Sequence, residues 1–334
     1  MATHTVSPGQ KISDVVGQAR SGDTVVVKDG TYKGKVNISG SNITVRAENR
    51  HKAIIDGSGA PKGQDLIVIS GSGITFDGFD VKGGGKKDIG KGGIVLWDAG
   101  SCKVTNNKSH DHSSAGIYVG GSVGKANNNL VEGNEVYHNV LENEARGTSG
   151  GWARGIGIDH SDNTTVRGNI VYNNYGEGIG IMCCIKAQVL DNVSYDNFSV
   201  LIYLDNAQEA KVQENVAWAE NGDYFRNNKP ALGVSICNEE TDRMLPSTGI
   251  NVTNNTLGGV GKPAYSEYGA NTGLKNSTIE PNNICSVEEA KEEAGSGGTD
   301  PTPPNPEPEP DEDKVVIVDI EVPDGVTVKV NVNE

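Results

Sequence analysis

The chain has 334 residues, a mean hydropathy of −0.44 and a formal net charge of −15. No run of 18 apolar residues occurs, so the sequence predicts no membrane insertion. Between Glu288 and Asp313, ten acids against Lys291 carry −9 of the charge, which leaves −6 for the rest and no basic stripe for nucleic acid.

In chain order, Met1-Ala2-Thr3-His4-Thr5 has neither a basic start nor an apolar core, and no signal peptide is visible. Ile12, Val15, Val16 and Ala19 have helical spacing and predict a short amphipathic cap. Short apolar strands follow, from Val25-Val26-Val27 through Ile43, Val45, Ile54, Ile55, Ile67, Ile69, Phe76 and Val81.

Six segments then share one phrase, a leading Gly (Leu in one copy) followed by apolar, variable, apolar. They start at Gly93, Gly116, Gly155, Gly178, Leu201 and Gly233. A second phrase, Val-x-x-Asn, ends at Asn107, Asn134, Asn169, Asn192, Asn215 and Asn255, at intervals of 27, 35, 23, 23 and 40 residues. The unit is therefore 23 residues, and the excess is insertion. Short alternating strands with Gly and Asn at corners predict one coil per repeat, with like strands about 4.8 Å apart. The fold class is an all-β, single-stranded right-handed parallel β-helix of about ten coils. The repeated Asn should form a hydrogen-bonded ladder. The aromatics three residues later (Tyr137, Tyr172, Tyr195, Trp218) should stack.

The β-helix is assigned to residues 1–287 and an acidic Pro- and Gly-rich linker to 288–313. A hairpin tail at 314–334 follows, with two Val-rich runs flanking Pro323-Asp324-Gly325. A lone hairpin is marginal in water. Val315 to Val332 should therefore pair with another copy or a larger particle. The five cysteines show no framework or metal-ligand spacing, and are read as reduced and structural.

Alternation assigns the faces of the repeated strand. One outward row runs Val95, Tyr118, Gly157, Gly180, Tyr203, Ser235, and the next runs Trp97, Gly120, Asp159, Met182, Asp205, Cys237. Gly157 and Gly180 should leave a hollow between Tyr118 and Tyr203. Asp159 and Asp205 fall two coils apart, roughly 9.6 Å. Insertions flank this face and bring Arg146, Trp152, Arg154, Arg226 and Arg243, and His138 lies in a turn at the same margin. A groove with aromatic platforms, carboxylates and Arg suits an acidic polysaccharide. The candidate catalytic residues are Asp159, His160, Tyr203 and Arg154, supplying a base, an acid and a cation. The candidate binding residues are Tyr118, Trp97, Trp152, Asp205, Arg146, Arg226, Arg243 and His138. No motif demands a cofactor, and Ca²⁺ is compatible with the carboxylates.

The string Ser21 to Tyr32 resembles the first coil of bacterial right-handed β-helix proteins, a likeness that spans about Gly9 to Asn283. Gly157-Ile158-Asp159-His160, with Val166 to Asn174, resembles a stretch of alginate C5-epimerase modules, where Asp-Pro-His precedes a similar Asn-rich coil. It is loosely similar to the Ile-Asp-His of pectate lyases. The resemblance implies lyase or epimerase chemistry at Asp159 and His160, in an extracellular, virion or cell-surface setting. A two-carboxylate glycosidase using Asp159 and Asp205 is a further enzymatic reading. The alternative is a non-enzymatic virion or surface protein of the tailspike type, docked through its C-terminal tail.

Overall fold

The computed structural model describes residues 1–60, 64–84, 92–146, 153–239, 245–269, 277–296, 315–321 and 327–333. Met1–Gly298 form one compact unit and Thr299–Glu334 a second. The first unit winds through three parallel sheets. Sheet A has ten strands, from Thr3–Val6 to Asn251–Thr253, and sheet B has ten, from Gly30–Lys33 to Asn283–Cys285. Sheet C has nine, from Val36–Ile38 to Gly261–Gly269. One coil visits A, B and C in turn, as Lys103–Thr105, Lys108–His110 and Ala115–Gly120 do.

The pairing register is the one that alternation predicts. Val95, Tyr118, Gly157, Gly180, Tyr203 and Ser235 are successive partners on sheet C. Ile156, Ile158, Ile179, Ile181, Ile202 and Leu204 point inward and are fully buried. Burying each such side chain contributes about 1.5–3 kcal/mol. The helix Ile12–Val16 (α1) closes the N-terminal end, with Ile12 and Val16 buried in the same core.

The Asn ladder forms at the corner between sheets A and B. Each Asn Oδ1 accepts both the backbone N–H and the side-chain amide of the Asn one coil earlier, at 2.8–3.1 Å. It runs from Asn107 through Asn134, Asn169, Asn192, Asn215 and Asn255 to Asn282. A second ladder, Asn139–Asn174–Asn197, occupies the corner between sheets B and C. The leading Gly of the repeated phrase belongs to this corner. A Cβ on Gly155 would lie 2.7 Å from Val171 Cγ1 and 2.9 Å from Asn174 Nδ2.

The aromatics stack outside sheet B. His110, Tyr137, Tyr172, Tyr195 and Trp218 lie ring on ring at 4.7, 5.1, 4.9 and 4.3 Å. This stack corrects the linker boundary. Residues placed in an acidic linker from 288 onward instead form helix α2, Val287–Ser296. Ser286 and Glu289 make a capping box: Ser286 Oγ accepts the Glu289 N–H at 3.2 Å, and Glu289 Oε2 accepts the Ser286 N–H at 2.9 Å. Ala290 and Ala294 then cover Tyr172, Tyr195 and Trp218. In the second unit, Val315–Glu321 and Thr327–Asn333 pair antiparallel. Among the described residues, no helix is long and apolar enough to cross a membrane.

Asn169→Ala tests the ladder. It orphans the buried Asn134 N–H and removes an acceptor from the Asn134 side-chain amide. At about 1–3 kcal/mol per orphaned group, chemical denaturation should show a loss of several kcal/mol. A loss below about 1 kcal/mol would mean that the ladder is not structural.

Candidate active site

Three side chains meet where the sheet C strand Arg154–Asp159 ends. His160 Nδ1–H donates to Asp159 Oδ1 at 2.5 Å. Tyr118 Oη donates to Asp159 Oδ2 at 3.0 Å. Both Asp159 oxygens are thereby engaged, and the His160 tautomer with its proton on Nδ1 leaves Nε2 as an acceptor. His160 adopts a left-handed conformation, φ 49°, which turns its ring back toward the strand end. Trp97 stacks on Tyr118 with ring centroids 6.5 Å apart and is 39% exposed.

The hollow over Gly157 and Gly180 is filled. Arg154 lies across it, and a Cβ on Gly180 would fall 1.9 Å from Arg154 Cδ. The guanidinium carbon stands 5.4 Å from the centre of the Tyr203 ring. Its Nε donates to Glu177 Oε2 at 3.0 Å. The two glycines thus give a channel for Arg154, which corrects the expectation of an open hollow.

Glu177 is the principal residue that sequence reasoning missed. Arg154 and Glu177 are register partners on adjacent coils. Alternation counted back from Ile156 places both inside, but the chain bends at Gly155, whose own Cβ position faces Val171 and Asn174 in the corner. The bend turns the preceding side chain outward. The usable signal was an acid and a base at the same place in successive repeats.

Burial raises the Glu177 carboxyl to about 7, against the pull of the Arg154 charge. Burial also raises Asp205 above the usual carboxylate range, while the Glu239 N–H opposes it by donating to Asp205 Oδ1 at 2.9 Å. Asp205 shares the outward row of Asp159 and Met182 and, like Tyr203 and Arg154, is buried beneath the neighbouring side chains. Burial holds the Tyr118 and Tyr203 phenols well above their ordinary range, so both stay protonated donors. Tyr203 Oη donates to Glu239 Oε1 at 3.2 Å.

The remaining candidates lie at the opposite margin. Arg146 Nη1 donates to the Gly222 carbonyl at 3.2 Å and to Asn228 Oδ1 at 3.1 Å, tying two insertions together. Arg226 is half-buried in the turn Arg226–Asn228. His138 donates from Nδ1 to Asp111 Oδ1 at 2.5 Å and lies beside Tyr175, which in turn meets Tyr224. Asp111 also accepts from His110. Burial works against the charged His110 ring, yet Asp111 and Asp80 hold it up to about 9. Trp152 and Arg243 lie outside the described residues. The described residues contain one cluster of three metal-ligand side chains, Asp159, His160 and Cys183, which spacing did not reveal. Its nitrogen and sulfur do not fit Ca²⁺, which takes 6–8 oxygens.

The model of the right handed beta helix region matches residues 65–257. A search of the curated proteins finds no significant match. Among solved structures, an alginate lyase from Paenibacillus sp. is 15% identical with a TM-score of 0.57, over 83% of this chain and 99% of that one. The surface protein and adhesin PfbA of Streptococcus pneumoniae is 13% identical with a TM-score of 0.62, over 83% and 80%. A pectate lyase is 15% identical with a TM-score of 0.53, over 84% and 79%. At these identities the likeness is one of fold.

Glu177→Gln tests the buried pair. The Glu177 carboxyl is raised from 4.5 to about 7, so between those values the folded chain holds a proton that the unfolded chain has lost. Its contribution to stability is therefore most favourable below pH 4.5 and is lost as pH rises through about 7. Relative to the Gln variant, the wild type should lose up to about 3 kcal/mol between pH 4.5 and 8. A pH-independent difference would mean that Glu177 stays ionised throughout.

Proposed function

This chain belongs to the right-handed β-helix family, and we propose on that premise that it binds an acidic polysaccharide along sheet C and removes the proton α to a uronate carboxylate. The observation that carries this reading is the doubly engaged Asp159. A carboxylate held by Tyr118 and His160 orients an imidazole at the end of a strand whose outward face bears Arg154. In this reading His160 Nε2 takes the C5 proton, and Arg154 stabilises the charge that develops on the uronate carboxylate. The electron pair then either expels the C4 oxygen, which takes a proton from Tyr203, or is reprotonated on the opposite face. The first outcome is elimination and the second is C5 epimerisation. Trp97 and Tyr118 supply a stacked platform for sugar rings. The alginate and pectate lyases of like fold agree with this substrate class.

A second reading has one specific support. The C-terminal hairpin belongs to a compact unit of its own, as a docking element would, and a surface adhesin shares the β-helix fold. On this reading the chain presents the same groove for adhesion, at a cell surface or on a virion, with no chemistry.

A panel of polyuronates and capsular glycans separates the readings. The ultraviolet absorbance of unsaturated ends reports elimination, and proton NMR reports epimerisation. His160→Ala should lower turnover by about 10²–10⁴ while binding persists. Binding without turnover on every polymer would leave the adhesion reading standing.

A further inference from the structure

We infer that Asp159, His160 and Cys183 form a binding site for a thiophilic divalent cation of the Zn²⁺ class. His160 and Cys183 occupy equivalent turns on successive coils. His160 N–H donates to the Met182 carbonyl at 3.1 Å, and Cys183 N–H donates to the Asp205 carbonyl at 2.9 Å. Both residues adopt the same left-handed conformation, φ 49° and 53°. The β-helix therefore lays an imidazole and a thiol one above the other, with Asp159 immediately before. One donor atom from each lies within 4.8 Å of the others, and all three residues are half-buried.

Donors about 2.0–2.3 Å from a tetrahedral Zn²⁺ stand roughly 3.3–3.8 Å from each other. The set must contract from within 4.8 Å to that size when the ion binds. The cation takes the place of the proton between His160 and Asp159. One oxygen, one nitrogen and one sulfur select Zn²⁺, Co²⁺ or Cd²⁺ over Ca²⁺ or Mg²⁺. Tyr118 Oη, donating to the second Asp159 oxygen at 3.0 Å, supplies the outer partner that fixes such a ligand. Three protein donors leave a fourth position for water or a ligand oxygen. Cys183 is in no disulfide. The uronate reading is not required, because binding is read without glycan.

The test is titration of the full-length reduced protein with Co²⁺, followed by near-ultraviolet sulfur-to-cobalt charge transfer and the visible bands of tetrahedral Co²⁺. One equivalent should saturate both signals, Zn²⁺ should bleach them, and excess Ca²⁺ should not. Cys183→Ser should abolish the charge-transfer band. Tyr118→Phe, which keeps all three ligands, should weaken Co²⁺ binding by about tenfold. Absence of the band in the wild type, or its persistence in a folded Cys183→Ser variant, would overturn the site. Should Cys183→Ser fail to fold, His160→Ala decides: unchanged Co²⁺ affinity overturns the proposal, and a loss of affinity supports it.

Discussion

Like residues on successive coils lie about 4.8 Å apart, and that spacing governs this molecule. It makes every repeated residue its own neighbour. A buried Asn is satisfied because the next coil brings another Asn within 3.1 Å. An aromatic three residues later finds a ring to stack on for the same reason. Without the ladders, each corner would bury amide groups with no partner, at about 1–3 kcal/mol apiece. The hydrophobic interior supplies the driving force, while the ladders fix which residues lie in register.

The same rule builds the site, because a departure from the repeat is also stacked on its neighbours. Arg154 and Glu177 share one place in the phrase, and a buried guanidinium meets the carboxyl that accepts from it one coil away. Gly157 and Gly180 share another, and their missing side chains let Arg154 lie flat below Tyr203. Asp159 ends its strand where the left-handed turn at His160 brings an imidazole back onto it. At the next coil the same turn carries Cys183. Proton handling and soft-metal ligation thus draw on one arrangement, and an ion bound there would compete with the proton on His160.

The fold was legible because a 23-residue unit fixes both period and face. The outward rows of sheet C and the Asn107 to Asn255 ladder follow from it directly. Legibility ended where the backbone leaves strict alternation. The bend at Gly155 turns Arg154 and Glu177 outward, whereas alternation alone places Glu177 inside and brings Arg154 to the site only by way of an insertion. The acidic composition of 288–296 hid a capping box and two alanines that cover the aromatic stack. Alternation gives the direction of Asp205 but does not tell what covers it, so its burial is not legible from the register. The Asp159–His160–Cys183 group was invisible as spacing, since the coil length alone joins residues 160 and 183.

The central claim is that the outward face of sheet C between Trp97 and Tyr203 carries the ligand. The most direct measurement is a crystal structure of His160→Ala with a bound uronate oligosaccharide. The account predicts a sugar ring against Trp97 and Tyr118, with a uronate carboxylate directed at Arg154. An oligosaccharide seated on sheet A or sheet B, with these side chains untouched, would contradict it.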